Sequence, residues 1–254
     1  MNAAAFPART NPLFNRNRLK LGIFAFNGSG GAMTTVPEQF QLTWPNTLDV
    51  AVEADKAGFE ALVPYARWRS FAGAEHRSGR VFETLTWAAA LAARTTHSAI
   101  LSTCHVPFVH PLVMAKAGAT IDAISGGRFA LNIVCGWFDR EADMFGVRRL
   151  PHDERYDLAD EYMEVVYKLW EGSWEDGSVV RDRQRRLFAN GDKVHEVTHE
   201  GKHFKMRGVH LCEPSPQRTP VIYQAGGSAR GRAFAARHAE CIFMSGLPKA
   251  QTRE

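Results

Sequence analysis

The sequence has few cysteines, and none of them stands in a close pair. The 254 residues contain only Cys104, Cys135, Cys212 and Cys241, without a CxxC motif. This spacing excludes a zinc-ligand framework and a disulfide scaffold. Three of the four lie in or beside apolar runs, where a free cysteine is usually a small core residue. We therefore expect reduced thiols in a cytoplasmic protein.

Long hydrophobic runs are also absent. No apolar run reaches the roughly 18 to 20 residues that span a bilayer, so we predict no membrane association. The N-terminal residues show no continuous apolar stretch after their positive charges, which argues against a secretory signal. Residues 1–18 are expected to form a short disordered or strapping arm ahead of a domain at 19–254.

The chain lacks a strong charge imbalance. Its formal net charge is only +4, and much of the excess lies in the run RDRQRR at 181–186. Nucleic-acid binding needs basic residues along a face with aromatics between them, so we interpret the run as a solvated loop. A phosphate loop, a nucleophile elbow and a dinucleotide-binding glycine fingerprint are missing as well.

The rest of the chain alternates between strand and helix patterns. Apolar runs bounded by turn residues predict strands at 19–26, 59–64, 98–104 and 128–135. Helical spacing predicts helices at 47–57 behind an Asn46 cap, and at 84–93, 111–124 and 155–170. Two of the strands are nearly continuous apolar runs, as expected where helices cover both faces of a parallel sheet. Four such units leave a doubly wound sheet or a β/α barrel.

A long polar insertion at 171–208 follows the fourth helix. The pattern then resumes with a strand at 220–225, a helix at 228–238 and a strand at 241–244. These make six strands, whereas a complete barrel has eight in about 250 residues. No strand pattern occupies 247–254. We expect an α/β fold of the TIM-type (β/α)8 kind that lacks its last strands, as a fragment, a truncated product or a chain completed by a partner.

In a β/α barrel the active site lies at the carboxyl ends of the strands. This rule selects six short segments: 27–31, 65–69, 103–105, 132–137, 224–228 and 244–246. The fifth, QAGGS, leads straight into a helix, and small residues before a helix N-terminus favour a phosphate. A glycine turn with Ser228 as the helix cap is the alternative. Asn132, an amide inside an apolar strand, either satisfies backbone groups or faces a polar ligand.

Two histidine patterns invite chemical interpretations that the geometry disfavours. Cys104 and His105 are neighbours on a strand and point to opposite faces, so they are a poor nucleophile pair. His195, His199 and His203 are spaced by four, but their segment resembles a surface hairpin more than a helix. We predict no metal site there.

Several motifs together resemble the bacterial-luciferase-like flavin monooxygenases. They are IDAISGGRF at 121–129, NIVCGW at 132–137, HDERY at 152–156, QAGGS at 224–228 and AARHA at 235–239. The first half is most similar to dimethyl-sulfone and pyrimidine monooxygenases. WEGSWED at 170–176 and the histidine-containing insertion look more like the nitrilotriacetate and dibenzothiophene-sulfone branch. The resemblance covers about 19–246 and implies a luciferase-like TIM barrel.

The resemblance also implies a cofactor and its site. A separate NAD(P)H-dependent reductase would supply reduced FMN, with O2 as co-substrate. The implied flavin-site residues are Ala66 and Arg67 beside the ring, Asn132 and Glu141 along it, and Arg155, Tyr156, Gly226, Gly227 and Ser228 near the phosphate and ribityl chain. The implied catalytic residues are Thr103 and Asn132 near the oxygen-binding edge, with His105 as an acid or base. Arg155 is suited to phosphate because guanidinium groups form charge-assisted hydrogen bonds.

The first interpretation is thus a two-component flavin monooxygenase, a homodimer, that oxidises a small organosulfur compound, amine or N-heterocycle. A deazaflavin-dependent oxidoreductase of the same fold is the second, and a non-catalytic barrel subunit is the third. The loops at 28–36 and 69–80 are expected to shape the substrate pocket, with Trp68 and Phe71 as candidate walls.

Overall fold

The computed structural model describes residues 11–29, 38–71, 79–136 and 138–244. Its strands are β1 Gly22–Phe24, β2 Ala61–Val63, β3 Ala99–His105, β4 Phe129–Val134, β5 Val179–Asp182, β6 Leu187–Ala189, β7 Val197–Glu200, β8 Lys205–Gly208, β9 Val221–Gln224 and β10 Cys241–Ile242. Its helices are α1 Trp44–Lys56, α2 Thr84–Ala92, α3 Pro111–Ser125, α4 Asp139–Phe145, α5 His152–Gly172 and α6 Ala229–His238. None of these helices is both long and apolar enough to cross a bilayer.

Six strands form one parallel sheet in the order β1-β2-β3-β4-β9-β10. Each new strand is added on the same side, whereas a doubly wound sheet reverses its order at a switch point. The sheet also curls, because the rings of Phe24 on β1 and Phe243 just after β10 lie 5.2 Å apart between centroids. The sequence left two architectures open, and the strand order confirms the barrel type as a curled half-barrel within the described residues.

The first helix begins earlier than the sequence pattern predicted. Thr43, and not Asn46, is the N-cap of α1, and its side chain accepts from the Asn46 amide at 3.3 Å. Pro45 in the first turn explains the difference, because its fixed φ is already helical and its missing N–H is not needed there. The predicted end of α3 is confirmed, since Gly126 closes it in the left-handed region with φ of 66°.

Side chains alternate between two apolar cores. One fills the layer between the sheet and the helices. The other lies inside the curl of the sheet, where the buried members are Ala61, Ala99, Leu101, Ala130 and Val221. Leu13 packs against this inner cluster from the N-terminal ends of the strands. Residues 11–18 therefore strap the base of the barrel, and residues 1–10 lie outside the described part of the arm.

Polar side chains secure this base. Gln217, just before β9, donates to Asp122 Oδ1 at 2.6 Å and to the Phe129 carbonyl at 2.8 Å. Its own amide oxygen accepts from Asn11 at 3.2 Å. Glu60 accepts from the arm through Asn17 at 2.6 Å. The strap, α3 and two strands are thus joined by hydrogen bonds at one end of the sheet.

Arg128 is the largest buried cation at the base. The side chain is buried, and its guanidinium donates to the carbonyls of Ser98, Thr95, Ala92 and Ser125 at 2.5 to 3.2 Å. Burial lowers the pKa of Arg128. A buried guanidinium is tolerated when its donors find acceptors, which is the case here.

The insertion folds into two antiparallel hairpins, β5–β6 and β7–β8. The predicted solvated loop is the tip of the first hairpin, where Arg183 and Arg186 are exposed. The second hairpin packs on α5 because Glu161 accepts from the backbone amides of His203 and Phe204 at 2.8 to 3.0 Å. The second hairpin of the insertion is therefore attached to α5, on the helix side of the large sheet.

Candidate active site at the carboxyl ends of the strands

A buried asparagine organises the rim on the β1 side. Asn27, fully buried after β1, accepts from the Tyr65 amide at 3.0 Å and donates to the Tyr65 carbonyl at 2.8 Å. It also donates to the Phe82 carbonyl at 3.3 Å. One side chain thereby fixes the exits of β1 and β2 to the start of α2, so the loops carrying the candidate residues begin from a rigid frame.

Thr103 and Asn132 face each other inside the mouth. They are register partners on β3 and β4, and Asn132 Nδ2 donates to Thr103 Oγ1 at 3.3 Å. The buried Asn132 Oδ1 has no partner among the described residues. Buried polar atoms are nearly always hydrogen-bonded. Of the two roles that the sequence left open for Asn132, facing a polar ligand is the one this geometry favours.

Cys104 and His105 point to opposite faces, as their positions on one strand predicted. Cys104 faces the helix layer, where its Sγ lies 3.3 Å from Tyr162 Oη, and burial raises the pKa of its thiol to about 12. His105 faces the mouth. A nucleophile pair between them is absent.

His105 is one of three residues, from three separate parts of the chain, that contact one another. Trp68, after β2, donates from its indole Nε1 to His105 Nδ1 at 3.1 Å. The Trp68 backbone amide donates to Glu141 Oε1 at 2.9 Å, and Glu141 Oε2 lies 4.0 Å from His105 Nε2. Burial, together with the charge of Arg67, lowers the pKa of His105 to about 4. Glu141 thus lies at the edge of the mouth with its carboxylate directed at these neighbours.

Four predicted residues line one cavity of about 250 Å³ between the exits of β2 and β3. They are Ala66, Arg67, Thr103 and His105. Trp68 and Phe82 add apolar walls. The cavity is a little smaller than typical ligand sites of about 300 Å³ and more.

Arg155 lines a second cavity, of about 210 Å³, behind the exit of β4. Its Nη1 donates to the Gly136 carbonyl, and its buried Nε has no partner in the described part of the chain. Cys135 lies in the same wall, and burial raises the pKa of its thiol to about 12. Trp137, Ser245 and Gly246, which the strand-end rule also selected, lie outside the described residues.

Ser228 caps α6 by accepting from the Gly231 amide at 3.0 Å. The backbone here is closely approached by Tyr156: a Cβ added at Gly226 would lie 2.9 Å from Tyr156 Oη, and one at Gly231 would lie 2.7 Å from it. The adjacent Gln224 Oε1 is buried without a partner among the described residues. Phosphate sites have this composition, with small residues, a helix N-terminus and a hydroxyl.

Charged side chains of α5 and α6 lie next to Tyr156. Arg230 in α6 lies 5.5 Å from the centroid of the Tyr156 ring and pairs with Asp157 at 3.0 Å and Asp160 at 2.6 Å. His238 also contacts Asp160, at 2.8 Å. Sequence patterns missed these contacts, although the spacing of Asp157 and Asp160 on one face of a helix is the signal that would have found them.

The three histidines of the insertion form no metal cluster in the described residues. His195 is half-exposed and pairs with Glu175 at 2.7 Å. The predicted hairpin is confirmed, but His199 is buried and not on its surface, since it contacts Glu161 at 3.2 Å and Lys168 at 3.1 Å. This side chain anchors the hairpin to α5.

Comparison with known proteins gives consistent relatives. The chain is 46% identical over 210 residues to the long-chain alkane monooxygenase of Geobacillus thermodenitrificans, covering 82% of this chain and 47% of that protein. It is 48% identical over 166 residues to the dimethyl-sulfide monooxygenase of Hyphomicrobium sulfonivorans, covering 65% and 35%. The chain thus spans less than half the length of these curated relatives.

A solved structure matches the fold. The crystal structure of a riboflavin lyase with modified FMN and riboflavin superposes with a TM-score of 0.84 and 36% identity, covering 92% of this chain and 56% of that one. The family model described as luciferase-like monooxygenase matches residues 19–254. The chain therefore belongs to the luciferase-like monooxygenase family.

Proposed function

We propose that this chain carries the flavin site of a monooxygenase that uses reduced FMN and O2 to oxidise a small organic molecule. The observation that carries the proposal is a set of buried polar atoms at the mouth that have no partner among the described residues: Asn132 Oδ1, Gln224 Oε1 and Arg155 Nε. A flavin offers hydrogen-bond donors, acceptors and a phosphate, and these atoms would each gain a partner from one of them. The residues present therefore fit the cofactor.

The proposed contacts follow the two halves of the mouth. Ser228, Gly226, Gly227, Tyr156 and Arg155 would hold the phosphate and ribityl chain, because amide donors and a guanidinium favour a dianion. The remaining proposed contacts are made along the ring by Ala66, Arg67, Asn132 and Glu141.

Bound reduced FMN would supply the electrons that activate O2, since the cofactor carries the bond chemistry in such enzymes. This chain would supply orientation and a dry environment. The Thr103 hydroxyl and the Asn132 amide, 3.3 Å apart, would orient a small polar group between β3 and β4. The largely apolar walls of the cavity around Phe108 would exclude water.

The proposed substrates are small organosulfur compounds, amines or N-heterocycles. The dimethyl-sulfide monooxygenase among the relatives supports the first of these classes. A separate NAD(P)H-dependent flavin reductase is the proposed transient partner, the proposed assembly is a homodimer, and the proposed compartment is the cytoplasm.

Anaerobic titration of the purified chain with reduced FMN tests the proposal. Replacing Arg155 or Asn132 by alanine should weaken binding by about 10-fold each, since each removes a hydrogen bond to a buried polar group. Arg183→Ala, on the exposed hairpin tip, is the matched control and should bind like the parent. Circular dichroism establishes that each variant is folded.

An O2 pulse after loading gives the second readout. Substrate oxidation coupled to oxygen uptake would support the monooxygenase. A folded chain that binds no reduced FMN, or variants that bind it as tightly as the parent, would contradict the proposal.

A further inference from the structure

The contacts among Trp68, His105 and Glu141 determine the tautomer of His105. An indole N–H is only a donor, whereas a neutral imidazole has one donor and one acceptor nitrogen. Trp68 Nε1 donates to His105 Nδ1 at 3.1 Å, so Nδ1 must carry the lone pair and Nε2 the proton. Trp68 thus determines the tautomer of His105, because its indole N–H can donate a hydrogen bond but not accept one.

The surroundings of His105 favour the uncharged ring. His105 and Glu141 are 6% and 2% exposed, and the carboxylate, at 4.0 Å from Nε2, lies beyond hydrogen-bond distance. The other charged groups that face this cavity are Arg67 and Arg69 after β2 and Glu83 before α2. From β4 the register partner is the apolar Val134. Burial and Arg67 together lower the pKa of His105 to about 4, so the ring is neutral near pH 7.

We propose that Trp68 is a positioning residue that holds His105 as the neutral Nε2–H tautomer, making His105 a hydrogen-bond donor to the bound molecule and not a proton acceptor. The inference deepens the proposed function, because it limits what His105 can do in the site. The tautomer itself exists without cofactor or substrate, so it stands or falls separately from the flavin proposal.

Trp68 is held in place by one further ring contact. Its ring meets the edge of Phe145 in α4 at 5.1 Å between centroids, and Phe145 stacks on Phe108 at 4.3 Å. Trp68→Phe therefore removes the indole N–H but keeps an aromatic ring next to Phe145.

Nitrogen-15 NMR of the full chain with labelled histidine is the test, with the His105 signals assigned by their loss in His105→Asn. In the parent protein we expect an unprotonated Nδ1 and a protonated Nε2, unchanged as the pH falls to about 5, because the ring stays neutral until its pKa. In Trp68→Phe the two tautomers should mix, because no donor is left to keep the lone pair on Nδ1.

Phe145→Leu is the control. It removes the ring packed on Trp68 but leaves the indole donor, so the His105 tautomer and midpoint should stay those of the parent. A proton on Nδ1 in the parent protein would overturn the proposal even if Trp68→Phe failed to fold. Unchanged signals in a folded Trp68→Phe variant would overturn it as well.

Discussion

The two ends of the curled sheet satisfy their buried polar groups differently. At the base, Arg128 and Gln217 find acceptors for their side-chain donors, and Asp55 accepts from three successive backbone amides at 96–98. At the mouth, the buried side-chain oxygens of Asn132 and Gln224 have no partner in the part of the chain that the structure describes. Both ends belong to the same strands, so the difference is not one of secondary structure.

The comparison separates residues that stabilise the fold from residues that we propose bind a ligand. A buried polar atom without a partner costs about 1 to 3 kcal/mol. In the described residues two such amide oxygens lie at the carboxyl ends of the strands, whereas the guanidinium of Arg128 at the base has acceptors for its donors. β/α barrels typically depend on this end of the sheet for stability and bind their ligands at the other end. Substitutions at matched positions can test this division.

The largest effect is expected at Arg128. Arg128→Met should lower the free energy of unfolding by about 3 to 5 kcal/mol, because it leaves several buried carbonyls without donors. Urea unfolding followed by circular dichroism measures the loss. Arg183→Met, on the exposed hairpin tip, is the matched control and should change little. Equal free energies of unfolding for Arg128→Met and Arg183→Met would contradict the stabilising role assigned to Arg128.

Two glutamines at the two ends of β9 offer the sharpest contrast. Gln217→Met removes donors to Asp122 and Phe129, and should cost about 2 to 3 kcal/mol. Gln224→Met removes an amide whose buried oxygen has no described partner, and should change stability by less than about 1 kcal/mol or increase it. The comparison of the two ends fails if Gln224→Met is the more destabilised variant in the same urea assay.

A smaller, pH-dependent effect is expected at Glu60. Hydrogen bonds from Asn17 and then from the Leu21 amide lower the pKa of this carboxyl from 4.5 to about 2. A depressed pKa in the folded state stabilises the protein above pH 4.5, and this contribution is lost as the pH falls towards 2. After screening by solvent, Glu60→Gln should cost about 1 to 2 kcal/mol near neutral pH.

Unfolding measured at a series of pH values checks this dependence. The difference between the parent and Glu60→Gln should shrink steadily in acid and vanish near pH 2. Glu53→Gln, which breaks only an exposed pair with Lys56, is the control and should show no such trend. A constant difference for Glu60→Gln would mean that the carboxylate charge does not hold the strap.

Most of the fold could be predicted from the sequence because its signals are local. Apolar runs identified each strand of the large sheet, and Gly126 marked the end of α3. The helix α4 was missed, since seven residues are too few for a periodic pattern and no side chain caps its start. The sequence alone did not decide whether the N-terminal arm is disordered or straps the barrel. The strap is stabilised by contacts with residues more than 40 positions away, such as that of Asn17 with Glu60.

The candidate site was predicted in outline for a similar reason. The strand-end rule selects Thr103, His105 and Asn132 from strand positions alone. It gives no information about Trp68 on His105, or Arg230 behind Tyr156, because these pairs join segments that are distant in the chain. Glu141 was reached only through the family resemblance. Its position at the rim depends on α4, a helix that the sequence pattern did not predict.

The burial of the thiols has a consequence for chemical durability. The thiolate is the form that oxidants and alkylating agents attack. With pKa values of about 12, Cys104 and Cys135 present on the order of one thiolate in 100,000 molecules near pH 7. Burial raises the pKa of Cys212 and Cys241 too. Burial of these thiols therefore makes them slow to react with oxidants and alkylating agents.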